Sequence, residues 1–213
     1  MIAIIDYDAG NIKSVEKAVM KLGYDCIITR DKEILKKADK LILPGVGAFK
    51  DAMDKLNEYG LTDVIKELVL DDGKPILGIC LGLQLFFESS EENPGVEGLG
   101  LLKGKIVRLP EGDDRKIPHM GWNSLSFPKK SVLFDKIVKG SFVYFVHSYY
   151  LVAEDKKIVA ATTKYGATIH AAVEWGNIYA TQFHPEKSSS SRYGRGRSRS
   201  RSGRTRRAHP APR

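Results

Sequence analysis

The sequence has few cysteines, no long apolar run and no acidic residue after Glu186. Two cysteines, Cys26 and Cys80, are too few for a disulfide framework or a cysteine-rich zinc site. No apolar run approaches the roughly 20 residues of a membrane-spanning helix, and the apolar start Met1–Asp6 is too short for a signal peptide. We therefore expect a cytoplasmic protein with free thiols and no association with a membrane.

The net charge of +8 comes from one end of the 213-residue chain. Residues 188–213 contain nine of the 34 Lys and Arg residues and none of the 26 Asp and Glu residues, which leaves residues 1–187 close to neutral. This Arg- and Ser-rich tail has almost no apolar residue to bury, so we expect it to be disordered. Its abrupt start and its Arg, Ser, Gly, Pro and Ala bias favour a vector-derived or frame-shifted sequence over a native extension.

Short apolar runs alternate with amphipathic stretches in the first hundred residues. Strands are predicted at Ile2–Asp6, Tyr24–Thr29, Lys40–Leu43 and Pro75–Ile79. Helices are predicted at Asn11–Leu22, Asp31–Lys37, Ala48–Tyr59, Leu61–Leu70 and Leu81–Glu88. This alternation predicts an α/β fold with a central, mostly parallel sheet that helices cover on both faces.

From Gly104 onward the pattern predicts strands and no convincing helix. They are predicted at Lys105–Leu109, Asn123–Phe127, Phe142–Val152, Ile158–Thr163, Ala167–Glu174 and Ile178–Gln182. Pro118 makes the segment Ile117–Trp122 an unlikely strand interior and favours a functional loop there. Residues 1–187 are thus expected to form one domain, in which additional antiparallel strands of the second half continue the sheet of the first.

Cys80 lies in the segment Gly78-Ile-Cys-Leu-Gly82, between a predicted strand and a predicted helix. A nucleophile flanked by small residues at such a turn is typical of an elbow that holds the side chain exposed and strained. A helix N-terminus also favours the thiolate form of a cysteine and offers a backbone N–H to an oxyanion. A buried core cysteine is the alternative, but the glycines favour a nucleophile.

The segment Phe183-His-Pro-Glu186 supplies a base for such a nucleophile. Histidine is the usual base for a cysteine, and a carboxylate commonly fixes the tautomer of that histidine. His184 and Glu186 are therefore the candidate partners of Cys80, although alone this motif would also fit a solvated loop. Competing histidines are His119, His147, His170 and His209, of which His170 is predicted to be structural.

The Gly-x-Cys-x-Gly elbow and the His-Pro-Glu segment together resemble the class I (triad) glutamine amidotransferases over residues 1–187. The resemblance implies that Cys80 attacks the carboxamide of glutamine, with His184 as base and then acid and Glu186 orienting it. It implies an oxyanion hole formed by the backbone N–H groups of Leu81 and Val46. The implied glutamine-binding residues are Gly47, Gln84, His147, Ser148 and Tyr149.

Five segments in order resemble the glutaminase subunits of imidazole glycerol phosphate synthases: Asp6–Asn11, Pro44–Phe49, Pro118–Asn123, Tyr144–Tyr149 and His184–Ser188. This resemblance implies a heterodimer with a separate (β/α)8 cyclase subunit, which receives the ammonia for histidine biosynthesis. The residues implied to face the cyclase are Asn11, Trp122, Tyr144 and Lys187. The resemblance further implies an oxyanion hole that stays closed until the cyclase binds its ligand.

No metal and no other cofactor is expected, because the histidines and carboxylates show no ligand spacing and a thiolate with an oxyanion hole can cleave an amide. Past Ser188 the family continues with a short amphipathic helix that packs on the sheet, and Ser189 onward lacks that pattern. Two alternatives remain open. One is a class I amidotransferase serving another synthase, such as that of anthranilate or pyridoxal phosphate. The other is a nucleic-acid-binding protein that uses the tail.

Overall fold

A computed structural model describes residues 1–113 and 115–188. The helices in this part of the chain are α1 (Ile12–Lys21), α2 (Lys32–Lys37), α3 (Phe49–Glu58), α4 (Leu61–Lys66) and α5 (Leu81–Leu85). Its strands are β1 (Ile2–Ile5), β2 (Cys26–Thr29), β3 (Lys40–Leu43), β4 (Ile76–Ile79), β5 (Ser89–Ser90), β6 (Gly104–Arg108), β7 (His119–Ser124), β8 (Phe142–His147), β9 (Tyr149–Ala153), β10 (Val159–Tyr165), β11 (Ala167–Trp175) and β12 (Ile178–Thr181). A π-helical turn, Glu67–Asp71, follows α4, and short 3-10 turns lie at Val132–Phe134, Lys156–Ile158 and Pro185–Lys187.

The central sheet has seven strands in the order β10-β11-β12-β4-β3-β1-β2. The strands from β12 to β2 are all parallel, whereas β11 is antiparallel to both of its neighbours. The mostly parallel central sheet predicted from the sequence is therefore confirmed. Parallel strands place their carboxyl ends at one edge, and loops at that edge commonly form the ligand site of an α/β protein.

Helices cover the two faces of the sheet unequally. On one face, large side chains of α3, α4 and α5 form the main core, with Phe49, Leu56 and Ile65 fully buried. On the other face, α1 packs on β1 and β3 and leaves an apolar groove of about 410 Å³ beside it. No helix within the described ranges is long and apolar enough to cross a membrane.

Two smaller sheets correct the prediction that the second half simply continues the first sheet. Strands β5, β6 and β9 form one of them, and β7 and β8 form the other. The predicted single strand Phe142–Val152 is interrupted at Ser148, after which β9 pairs with β6 instead of β7. Across this interruption, Nδ1 of His147 hydrogen-bonds to the carbonyl oxygen of Tyr149 at 2.9 Å.

The prediction of a loop around Pro118 is wrong for the residues that follow it. Strand β7 begins at His119, directly after the proline, and pairs with β8 from His119–His147 to Ser124–Phe142. Proline cannot donate to a ladder of strand hydrogen bonds, but a position that precedes the strand needs no donor. The segment is therefore half of a hairpin, with Pro118 at its entrance.

Candidate active site

Cys80 occupies the turn between β4 and α5, at the carboxyl edge of the parallel sheet. Its backbone angles, φ 55° and ψ −106°, lie in a region that residues other than glycine rarely adopt. A Cβ added at Gly82 would lie 1.9 Å from the carbonyl oxygen of Leu43, so only glycine lets the helix start so close to β3. The N–H of Cys80 donates to the carbonyl of Thr181 at 2.8 Å, which ties this turn to β12.

Helix α5 is shorter than the predicted helix Leu81–Glu88. The carbonyl oxygens of Leu85 and Phe86 accept hydrogen bonds from the N–H groups of Leu99 and Leu102, at 2.8 and 3.1 Å. These long-range bonds replace the helical ones, so the chain leaves the helix. The helix dipole that acts at Cys80 is correspondingly that of about one and a half turns.

His184 and Glu186 lie just after β12, where the structure brings them together with Cys80. Nδ1 of His184 is 2.8 Å from Oε1 of Glu186, and the two side chains are 1% and 2% exposed. Burial lowers the pKa of His184, but hydrogen bonds and charge from Cys80 and Glu186 outweigh it and raise the pKa to about 9. The arrangement therefore favours the imidazolium form of His184 beside Cys80.

The second ring nitrogen of His184, Nε2, is buried and has no hydrogen bond of ordinary geometry within the described ranges. Cys80 nevertheless interacts with the ring strongly enough to raise its pKa. Because Glu186 engages Nδ1, Nε2 is the nitrogen that can exchange a proton with the thiol.

Asn11, predicted to face a partner, also touches the triad. Its Nδ2 donates to Oε1 of Glu186 at 3.0 Å. The residue adopts a left-handed backbone conformation, φ 66°, immediately before α1. The loop between β1 and α1 thus helps to hold the carboxylate that orients His184.

One of the two predicted oxyanion donors already has a hydrogen-bond acceptor in this structure. The N–H of Leu81 donates to the carbonyl oxygen of Gly45 at 3.3 Å. The segment of Gly45 is fixed from the other side, because the hydroxyl of Tyr7 donates to the carbonyl of Pro44 at 2.7 Å. In this conformation the N–H of Leu81 is bonded to a backbone carbonyl of the protein itself.

A cavity of about 220 Å³ opens beside Cys80. The predicted glutamine-binding residues all line it, together with both predicted oxyanion donors: Val46, Gly47, Leu81, Gln84, His147, Ser148 and Tyr149. Glu92 also lines it and was missed, because Glu91-Glu92-Asn93 has the composition of a solvated loop. Its Oε2 accepts the N–H of Phe49 at 2.8 Å, which holds the carboxylate at the start of α3.

Gln182 is a second residue that the sequence reasoning missed. It is fully buried between β12 and His184. Its Oε1 accepts from Nε2 of Gln84 at 3.1 Å, and its Nε2 lies 3.8 Å from Sγ of Cys80. Its sequence context, the end of a predicted strand, gives no signal of these contacts, because Gln84 lies 98 positions earlier in the chain.

His147 lines the cavity, and its ring contacts that of His119. Nε2 of His147 is 3.0 Å from Nδ1 of His119, and its own Nδ1 is bonded to the carbonyl of Tyr149. Burial lowers the pKa of His147 to about 3 and that of His119 to about 4, so both rings are neutral at physiological pH. Both ring nitrogens of His147 therefore have partners inside the protein.

The remaining residues predicted at an interface cluster on the hairpin of β7 and β8. The rings of Trp122 and Tyr144 meet edge to face with centroids 6.1 Å apart, and Nζ of Lys187 lies 5.5 Å from the Tyr144 centroid. The N–H of His184 donates to the carbonyl of Tyr144 at 3.0 Å. This partly exposed cluster is thus joined directly to the triad. Across residues 1–113 and 115–188, no group of three His, Cys, Asp or Glu side chains could hold a metal ion.

Comparison with known proteins agrees with this geometry. The profile of the family "Glutamine amidotransferase class-I" matches residues 3–195. The chain is 51% identical over 194 residues to an imidazole glycerol phosphate synthase subunit HisH of Geobacillus thermodenitrificans, covering 89% of this chain and 90% of that protein. It is 49% identical over 188 residues to a subunit HisH 2 of Methanococcus maripaludis, covering 88% and 93%.

Solved structures support the same fold at lower identity. A glutamine amidotransferase crystal structure aligns with a TM-score of 0.69 at 21% identity, covering 87% of this chain and 91% of that one. The glutaminase domain of Trypanosoma brucei CTPS with bound acivicin aligns with a TM-score of 0.63 at 17% identity, covering 87% and 85%.

Proposed function

The chain belongs to the class I glutamine amidotransferases, and from that premise we propose that it is the glutaminase subunit of an imidazole glycerol phosphate synthase. The observation that carries the proposal is the buried group of three side chains beside the cavity: Cys80 on a strained turn that lines it, with His184 held 2.8 Å from Glu186. Relatives about 50% identical over nearly the whole of their length bear the name of that synthase.

The reaction follows from the roles of the three side chains. Sγ of Cys80 attacks the carboxamide carbon of glutamine, and His184 holds the thiol proton and passes it to the departing nitrogen. Ammonia leaves and a glutamyl thioester remains. Water then attacks the thioester while His184 takes its proton, and the thiol is restored as glutamate leaves. Glu186 keeps the imidazole oriented and stabilises its positive form throughout.

The cavity suits a single free amino acid. Its volume of about 220 Å³ is below the roughly 300–1,000 Å³ of pockets that hold drug-sized ligands. Glu92 is the acidic side chain among its lining residues, and we assign it to the α-ammonium group of glutamine. Gln84 and the backbone at Ser148 and Tyr149 would orient the rest of the substrate.

Formation of the oxyanion hole requires a movement near Gly45. Rotation of the peptide between Gly45 and Val46 would remove the carbonyl from the N–H of Leu81 and turn the N–H of Val46 toward the site. Two donors would then face the oxygen of the tetrahedral intermediate. The resting subunit is accordingly expected to hydrolyse glutamine slowly.

The partner in this proposal is a (β/α)8 cyclase, and its docking surface is the cluster of Trp122, Tyr144 and Lys187 with Asn11 beside it. Asn11 contacts Glu186, and the backbone of Tyr144 contacts that of His184, so a partner seated there would cover this side of the site and receive ammonia out of contact with bulk water. No cofactor takes part in the glutaminase reaction as proposed, and the heterodimer would act in the cytoplasm.

Glutamate release from glutamine tests the proposal. The wild type and Cys80→Ala are each assayed alone and with a cyclase subunit plus its nucleotide ligand. We expect strong release only from the wild-type chain in the complex. Equal activity with and without the cyclase would contradict the partner and the closed hole, and retained activity in Cys80→Ala would contradict the nucleophile.

A further inference from the structure

One backbone carbonyl fixes the direction of the hydrogen bonds between the glutamine cavity and the nucleophile. The carbonyl oxygen of Tyr149 accepts from Nδ1 of His147 at 2.9 Å and lies 3.1 Å from the amide nitrogen of Gln84. A carbonyl oxygen can only accept. The amide group of Gln84 must therefore turn its nitrogen, and not its oxygen, toward Tyr149.

The orientation of Gln84 fixes that of Gln182 in turn. Nε2 of Gln84 also lies 3.1 Å from the amide of Gln182, so the facing atom of Gln182 must be its acceptor, Oε1. If the Gln182 amide were rotated, two N–H groups would face each other in a buried site. Nε2 of Gln182 is thereby directed toward Sγ of Cys80, at 3.8 Å.

Burial leaves the amide of Gln182 no other favourable orientation. Gln182 is fully buried and Gln84 is 6% exposed, so bulk water does not offer an alternative partner. The backbone of Gln182 is held as well, because its N–H donates to the carbonyl of Ala171 at 2.8 Å. Leaving a buried amide group unpaired costs more than a hydrogen bond gains.

We propose that Gln182 is a fourth side chain at the nucleophile, whose N–H donates to Sγ of Cys80 and holds the thiolate ready for attack. The inference rests on the proposed glutaminase function and deepens it. The donor stabilises the charged form of the sulfur, since a hydrogen bond to an ionised acceptor is stronger than one to a neutral acceptor. Gln84 and Tyr149 act through Gln182 by preventing its amide from rotating.

Two substitutions separate this role from a merely structural one. Gln182→Met keeps most of the volume and removes both polar atoms. Gln182→Glu keeps an acceptor for Gln84 but, when ionised, has no N–H for the sulfur. If Gln182 only supported Gln84, Gln182→Met could lower the melting temperature but would leave the reactivity of the Cys80 sulfur unchanged.

The first measurement is the rate of alkylation of Cys80 by iodoacetamide as a function of pH, followed by mass spectrometry of the Cys80 peptide in the full chain. For Gln182→Met we expect the midpoint of the pH–rate profile to rise by about one pH unit, as expected for the loss of one hydrogen bond to a charged group. In complex with the cyclase, kcat for glutamate release should fall about tenfold at neutral pH, with a smaller change in KM. Gln182→Glu should also shift the midpoint upward, because an ionised glutamate lacks the donor and adds a negative charge beside the sulfur.

Asn177→Ala is the matched control. Asn177 flanks the other end of β12, and its amide donates to the carbonyls of Val69 and Lys74 at 2.8 and 2.9 Å, far from the cavity. Asn177→Ala removes the hydrogen bonds of a side-chain amide without changing a residue of the cavity. Its alkylation profile and kcat should match those of the wild type, even if its melting temperature is lower.

A wild-type alkylation profile and kcat in either Gln182 variant would overturn the proposal. If a circular dichroism melt shows that both Gln182 variants are unfolded, Gln84→Met is the variant that tests the proposal. It leaves Gln182 in place but frees its amide to rotate, so it should raise the midpoint of the alkylation profile. An unchanged midpoint in Gln84→Met would then count against the proposal. Failure of the glutaminase function is distinct: the wild-type complex would release no glutamate, whatever the alkylation profiles show.

Discussion

Three buried histidines close to the cavity are held in opposite protonation states. His184 is paired with Cys80 and Glu186, and these partners raise its pKa to about 9. His119 and His147 face each other and a backbone carbonyl, and burial lowers their pKa to about 4 and about 3. Histidine is thus charged beside Cys80 and neutral in the pair of His119 and His147.

This contrast predicts a maximum of stability near pH 6.5. Below the unfolded-state pKa of about 6.5, the unfolded chain protonates His119 and His147 while the folded chain does not, so stability falls as the pH drops toward 4. Above it, the folded chain keeps the proton of His184 that the unfolded chain loses, so stability falls as the pH rises toward 9. Melting temperatures measured by circular dichroism should drop by about 5 °C or more between pH 6.5 and 4.5. In His119→Asn the acidic decline should be weaker, and a steady rise in melting temperature from pH 6.5 to 9 would contradict the assignment for His184.

Replacement of the orienting carboxylate gives a second prediction for single residues. Glu186→Gln keeps the size of the side chain but removes the charge that stabilises the imidazolium, so kcat for glutamate release by the complex should fall at least about hundredfold. Glu33→Gln, a loss of an exposed carboxylate in α2, is the control and should leave kcat unchanged. Equal rates for the two variants would show that Glu186 is not part of the machinery.

Individual site residues differ in how far their sequence context reveals them. The proximity of Cys80, His184 and Glu186 could be predicted because each lies in a short pattern whose chemistry is local. Gln182 and Glu92 could not, because their contacts join positions far apart in the chain: Gln182 bonds to Gln84, and Glu92 bonds to the backbone of Phe49. Only the folded sheet places such pairs together.

Among the elements, the turn from β4 into α5 has no room for a side chain at Gly82. Gly82→Ala would place a methyl group 1.9 Å from the backbone carbonyl of Leu43, which cannot move without disturbing β3. We expect a loss of about 3 kcal/mol in the free energy of unfolding, measured by urea denaturation.

Gly112→Ala is the control for that substitution. Its added methyl group would meet only the flexible end of the Arg115 side chain, so the change should stay within about 0.5 kcal/mol. Similar losses in the two variants would mean that close contact with β3 does not determine the stability of the elbow.

The elements of the parallel sheet were predicted more successfully than those of the hairpin. β1, β3 and β4 are nearly continuous apolar runs, because side chains on both faces of a covered sheet are buried. The break at Ser148 carries no turn residue such as Gly or Pro, and it exists because β8 and β9 pair with different strands. The early end of α5 has the same kind of cause, since distant N–H groups take its carbonyls.

For the whole molecule, the sequence predicts that the positive net charge and the glutaminase activity reside in different parts of the chain. Deleting residues 189–213, which lie outside the described residues, removes nine Arg and leaves a nearly neutral chain. Glutamate release by the complex should be unchanged within about twofold, while salt-sensitive retention on immobilised nucleic acid should disappear. A full-length chain with the nine Arg changed to Gln controls for length. Loss of activity on deletion, but not on neutralisation, would show that the segment supports the fold.

The hydrogen bond between the N–H of Leu81 and the carbonyl of Gly45 has a consequence for how much glutamine the cell loses. Glutamine is the shared nitrogen donor of many pathways, and an unpaired glutaminase that hydrolysed it freely would release ammonia with no acceptor. On the proposed mechanism, a subunit whose oxyanion site is closed by its own backbone could be synthesised in excess of its partner without depleting the cell's glutamine.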